Sequence, residues 1–101
     1  MNLLALDDGR IAGSDIGAGV QAAATLGVRP ESITLRDDGL PALVQGVEYL
    51  GADLVLRCGL GTQTLLVRAA GHHHAQAGDT VGLHWHPRDA HAFDARGHRV
   101  H

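Results

Sequence analysis

Fourteen glycines divide this chain into short runs, and the clearest runs alternate apolar and polar residues with a period of two. That alternation is a strand pattern, with one face packed and the other in solvent. In residues 80–86, Val81, Leu83 and Trp85 point one way, and Thr80, Gly82, His84 and His86 the other. Leu54, Leu56 and Cys58 alternate against Val55 and Arg57, and in residues 43–50 Val47 and Tyr49 oppose Glu48. Further strands are expected at residues 2–6, 26–28, 32–35, 64–69 and 91–94, with 99–100 closing a hairpin around Ala95-Arg96-Gly97. Turns are expected at Asp7-Asp8-Gly9, at the charged residues 36–39, at Gly51-Ala52-Asp53 and at Gly59–Gly61. Residues 71–78 form a polar loop, and Pro87 opens one helical turn. Residues 13–27 are read as extended, with a helical turn across 22–24 as the alternative. Many short strands with glycine turns and little helix predict a mostly β single domain over residues 1–101, a small OB-like barrel of five or six strands.

Composition narrows the function. All eight cations are arginines, which removes the P-loop lysine, the Schiff-base lysine and a lysine-rich nucleic-acid patch. A net charge of −3 and only three aromatics, Tyr49, Trp85 and Phe93, supply neither a basic groove nor stacking platforms for single strands. The single cysteine, Cys58, excludes an intrachain disulfide and reads as a small buried hydrophobe. No apolar run approaches the ~20 residues of a membrane span, so no membrane insertion is expected and the chain is read as cytoplasmic.

Chemistry-bearing motifs are few. Gly17-Ala18-Gly19-Val20-Gln21-Ala22 matches G-x-G-x-x-A, but it lacks the strand–helix context of a dinucleotide site and is read as a turn. His72, His73 and His74 sit together in the polar loop, where adjacent residues cannot all face one ion on a regular element. His84 and His86, at i and i+2 on one strand face, are the better metal candidates, although no third ligand is evident. Ser14 and Ser32 lie in no nucleophile elbow, so no catalytic residue and no bound cofactor is assigned.

Four strings in register carry a family resemblance. Leu26-Gly27-Val28-Arg29-Pro30-Glu31 resembles the GxRPE signature of the TOBE domain, an OB-like barrel appended to the ATP-binding subunits of ABC importers for sugars and sn-glycerol-3-phosphate. Glu48-Tyr49-Leu50-Gly51-Ala52-Asp53 looks like the E-x-L-G-x-D segment that follows it, and residues 87–94, with His91, Phe93 and Asp94, are similar to the closing P-x-x-x-H-x-F-D stretch. Met1-Asn2-Leu3-Leu4 looks like the entry into the first outer strand. The resemblance implies an accessory and regulatory domain rather than an enzyme, excised from a longer subunit whose ATP- and Mg-binding part precedes Met1. It implies a second copy of the subunit, a permease and a regulatory protein or effector as partners, and a place at the inner face of the membrane. Its signature residues are Gly27, Arg29, Pro30, Glu31, Gly51, Asp53, His91, Phe93 and Asp94. Pro30 is expected to fix a corner, Glu31 to accept the freed amides of that turn, and Phe93 to be buried and draw His91 to the core edge. A molybdate-type oxyanion barrel and a histidine-based metal domain are the competing readings.

Overall fold

A computed structural model describes residues 1–7, 10–13, 23–71 and 73–100. The chain order is β1 (Asn2–Asp7), β2 (Arg10–Ile11), β3 (Thr25–Val28), β4 (Thr34–Leu50), β5 (Asp53–Leu60), β6 (Gln63–Ala70), β7 (Thr80–His84), β8 (Ala90–Phe93) and β9 (Arg99–Val100). They build two antiparallel sheets, one ordered β2-β1-β3-β8-β9 and the other β6-β5-β4-β7. Among the described residues the only helical features are two 3₁₀ turns, Pro30–Ser32 and Pro87–Asp89. The mostly β expectation holds, in an OB-like domain with more strands than the five or six expected. The excess includes the two-residue strands β2 and β9, too short to show alternation.

The two inner faces meet in one apolar cluster. Leu4, Leu26, Val28 and Ala92 come from the first sheet, and Val44, Leu54, Leu56, Cys58, Leu65, Val67 and Leu83 from the second. Each of these strands puts alternate residues inward, so period two alone selects the core. Ile11 and Ile33 are also buried in this cluster, and Val81 and Trp85 pack half-buried against it. Burial pushes the Cys58 thiol up from its ordinary pKa, which keeps it an inert core atom.

Several expectations are corrected. The strands expected at 32–35 and 43–50 are one strand, β4, and residues 36–39 bulge from it instead of turning it. Leu35 and Leu40 both face Leu83, so the four residues between them have no partner on β7. The first part of that strand starts at Thr34, because Pro30 sets up a 3₁₀ turn through Ser32. A second bulge at Gln45 shifts the register between Val44 and Gly46. Val47 on the inward side stays half-buried, but Tyr49, at the strand's end, is exposed. In β8 the buried residue is Ala92, and the half-exposed His91 and Phe93 face outward. The small alanine fits the crowded interior opposite Leu26, so the parity of β8 is the reverse of the expected one. The Gly17–Ala22 string, Ser14, His72 and the Asp8-Gly9 part of the first turn lie outside the described residues.

The sheets are joined along β1 and β6 by side-chain amides. The Asn2 amide donates to the Leu66 carbonyl at 2.7 Å and accepts from the Leu66 N–H at 2.7 Å. Gln63 reciprocates, accepting from the Ala5 N–H at 2.6 Å and donating to the Ala5 carbonyl at 3.0 Å. Its Nε2 also donates to the Ala12 carbonyl at 3.2 Å. Each primary amide reproduces the donor–acceptor pair of a neighbouring peptide group, so the part of β1 that β2 does not cover and the edge strand β6 are satisfied without sharing a backbone ladder.

Candidate functional site

The first signature string builds a corner. Gly27 in β3 lies between Leu3 of β1 and His91 of β8. A Cβ there would stand 2.5 Å from the Met1 sulfur and 3.2 Å from Phe93 Cε2, so glycine lets Met1, Leu3 and Phe93 converge over the strand. Arg29 is extended at φ −73°, ψ 144°, as a residue before proline prefers, and Pro30 opens the 3₁₀ turn. No side chain caps this turn. The Ser32 and Ile33 amides donate to the Arg29 and Pro30 carbonyls, at 3.0 and 3.4 Å, which leaves Glu31 exposed without its expected role.

The later strings work in the same way. Gly51, at φ +79°, leads the two-residue turn between β4 and β5, where a β-carbon is disfavoured. Asp53 accepts from Arg68 Nε at 3.0 Å and Nη2 at 2.8 Å, tying β5 to β6 with a half-exposed ion pair. Arg99 Nη2 sits 2.7 Å from His91 Nδ1; because a guanidinium only donates, that ring nitrogen accepts. Asp94 closes the β8–β9 hairpin, its Oδ1 accepting from the Arg96 and His98 amides, each at 2.9 Å. Asp94→Ala leaves both amides without that acceptor, and a loss of about 1–2 kcal/mol is expected in urea unfolding, with Asp94→Asn recovering part of it.

The two metal candidates do not share a strand. β7 ends at His84, and His86 instead caps the second 3₁₀ turn, its Nδ1 accepting from the Arg88 amide at 3.2 Å. The chain leaves the strand before the second histidine, so the i, i+2 argument no longer applies. Among the described residues no three His, Cys, Asp or Glu side chains converge as a metal set. His73 and His74 line a cleft of about 400 Å³ with Arg36, Asp37 and Thr80, beneath the bulge of β4. Arg36 is locked across that bulge, donating from Nε and Nη2 to the two Asp38 oxygens at 3.0 and 2.8 Å. These hydrogen bonds, and then the Arg36 charge, hold the Asp38 carboxyl below its ordinary pKa. A depressed carboxylate favours the fold when ionised, so its small contribution is present above the ordinary carboxylate value and lost as pH falls through the folded one. Arg36→Gln is expected to return the Asp38 titration, followed by carbonyl-carbon NMR, to the ordinary range.

No signature residue lines that cleft. The motif residues make corners, turns and two cross-strand pairs, Asp53–Arg68 and His91–Arg99. Sequence reasoning missed Asn2 and Gln63, whose only signal is a polar residue in or beside an apolar run.

Comparison with known proteins decides the family. The TOBE domain model matches residues 26–93, from Leu26 in β3 to the end of β8. The chain belongs to the TOBE domain family. It is similar to the sn-glycerol-3-phosphate import ATP-binding protein UgpC of Salmonella paratyphi A, at 41% identity over 93 residues, covering 84% of this chain and 26% of the relative. The UgpC protein of Escherichia coli K12 is 40% identical over 80 residues, covering 75% of this chain and 22% of the relative. This TOBE domain therefore spans about a quarter of the length of the relatives it matches. Among the described residues no helix is long and apolar enough to cross a membrane.

Proposed function

We propose that this TOBE domain is the accessory, regulatory part of the ATP-binding subunit of an ABC importer for sn-glycerol-3-phosphate or a sugar. Two such subunits pair through their accessory domains, and contacts between them bias how the ATP-binding parts close. ATP and Mg²⁺ are held by the preceding nucleotide-binding part of that longer subunit, which also meets the permease at the inner face of the cell membrane. The observation that carries this reading is the 41% identity to a UgpC protein over 84% of the chain. The residue roles agree with it, since the described signature positions form corners, turns and cross-strand contacts of the domain. A regulatory protein or effector is the further partner of such a domain.

A domain exchange tests the proposal. This chain replaces the matching quarter of Escherichia coli UgpC, and sn-glycerol-3-phosphate uptake is measured in cells lacking the native subunit. Uptake is expected to return, while the isolated chain shows no ATP turnover above a buffer blank. A chimera that is expressed and folded but restores no uptake overturns the reading, as does turnover by the isolated chain that survives repurification.

A further inference from the structure

The bulge of β4 carries a chemically reactive step. Asp-Gly occurs twice in the chain, at Asp8-Gly9 and Asp38-Gly39, and the second pair lies among the described residues. An aspartyl carboxyl can close a five-membered ring with the next backbone nitrogen, and closure is easiest before glycine, where no Cβ crowds that nitrogen. The Asp38 side chain is 71% exposed, so water reaches its carboxyl. Neither ladder of β4 includes residues 36–39, since β7 pairs with Leu35 and Leu40 on either side of them and β5 pairs only from Leu43 onward.

Arg36 opposes the reaction in two ways. Its Nε and Nη2 grip the two Asp38 oxygens at 3.0 and 2.8 Å, so Cγ cannot turn toward the Gly39 nitrogen without breaking both bonds. Ring closure also needs the carboxylic acid, because a hydroxyl leaves as water far more readily than an oxide leaves. The Arg36 hydrogen bonds, and then its charge, keep the carboxyl ionised, and His84 of β7 adds a weaker pull in the same sense. Asp37, His73 and His74 line the cleft beneath the bulge, to which Asp38 does not contribute.

We propose that Asp38-Gly39 is a modification site at which the chain isomerises to isoaspartate, at a rate set by the grip of Arg36. The Gly39 nitrogen attacks Asp38 Cγ and gives up its proton, a Cγ–N bond forms, and the carboxyl hydroxyl leaves with a proton as water. One water then opens the succinimide. Cleavage of the new Cγ–N bond returns aspartate, and cleavage between the Asp38 backbone carbonyl carbon and the nitrogen leaves the chain running through Cβ and Cγ. One water leaves and one returns, so no other reactant is consumed. The product has an extra backbone carbon in a segment without room on its β7 side, where a Cβ on Gly39 would stand 2.6 Å from the Leu83 carbonyl oxygen. Isomerisation therefore lifts the bulge from β7 and lowers the melting temperature.

Ageing of the chain at mildly acidic pH, with circular dichroism confirming that it stays folded, tests the site. Isoaspartate at residue 38 is read by peptide mapping with fragmentation that separates it from aspartate, and by methyl transfer from an isoaspartate-specific carboxyl methyltransferase. The folded parent is expected to convert more slowly than the same chain in urea. Folded Arg36→Gln is expected to convert about threefold or more faster than the folded parent, with Arg36→Lys, which keeps the charge but not the two-nitrogen grip, in between. Asp38→Glu should form no such product, because its ring would be six-membered and closes far more slowly. A folded Arg36→Gln chain that forms no isoaspartate at residue 38, while the unfolded chain does, overturns the site. Equal rates in the folded parent and both Arg36 variants overturn the control by Arg36.

Discussion

Gly82→Ala is expected to destabilise the domain by about 3 kcal/mol, seen as a melting temperature more than about 10 °C below that of the parent. Alanine is a modest change in a strand, where glycine is ordinarily the poorer residue. The cost arises from the bulge. A Cβ at position 82 would be driven into the carbonyl oxygen of Arg36, and its next neighbours are the Arg36 carbonyl carbon and the Gly39 nitrogen, each 3.0 Å away. All three are backbone atoms of the segment that leaves β4 after Leu35 and returns at Leu40. No side-chain rotation relieves the contact, so the bulge must lift from β7 or the β4–β7 ladder must part. Gly39→Ala acts on the same joint from the other side, with its Cβ 2.6 Å from the Leu83 carbonyl oxygen and 2.7 Å from the Leu83 nitrogen. Gly78→Ala supplies the comparison, because its Cβ would meet nothing within 4 Å and only its φ of +98° is disfavoured. If Gly82→Ala melts within a few degrees of the parent, the bulge does not pack on β7 as described.

Gln63→Leu is expected to cost about 2–3 kcal/mol in the same unfolding measurement, although leucine nearly matches glutamine in volume and adds apolar surface. The side-chain amide makes three hydrogen bonds to backbone groups of Ala5 and Ala12, each worth about 0.5–1.5 kcal/mol net. Leucine leaves the Ala5 N–H without its acceptor, while the Ala5 carbonyl keeps the Ala12 N–H at 2.9 Å and the Ala12 carbonyl keeps the Thr62 hydroxyl at 3.5 Å. Asn2→Leu removes the matching pair at Leu66 and is expected to cost less, in proportion to its two bonds. Because both amides hold the same two strands, the double variant should lose less than the sum of the single losses. Hydrogen exchange gives a second reading, since the amides of Ala5 and Leu66 should lose protection in Gln63→Leu and Asn2→Leu respectively. An unchanged melting temperature in both single variants would show that burial alone closes the domain.

The strand content was readable from the amino acids because it depends on local alternation and glycine turns. Residues 53–60 show this best: every second side chain is apolar, and Leu54, Leu56, Cys58 and Leu60 are the buried ones. The two-residue turn at Gly51 and the terminal hairpin at Gly97 were equally legible, since positive φ favours glycine there. The family strings were legible too, but their spelling does not separate a contact residue from a corner residue. Asp94 is a turn acceptor and Asp53 half of a cross-strand pair only because the chain returns beside each of them. The errors share one cause. β8 is short and apolar on both faces, so Ala92 and Phe93 are equivalent until Leu26 occupies the space across the ladder. The His84–His86 pairing failed because a strand's end is set by its partner: β4 begins at Thr34, opposite His84, and nothing pairs with His86.

The amino-acid sequence by itself determined that this chain makes strands, where most of them turn, and which side chains inside them are apolar. These properties arise from φ preferences and from contacts between near neighbours, which act wherever the segment is placed. Only the tertiary structure decided that residues 36–39 are a bulge pressed on Gly82 and that Asn2 and Gln63 stitch the two sheets. Each of these depends on chain segments well apart in sequence meeting at a particular register, and a shift of one residue would turn every side chain involved to the opposite side.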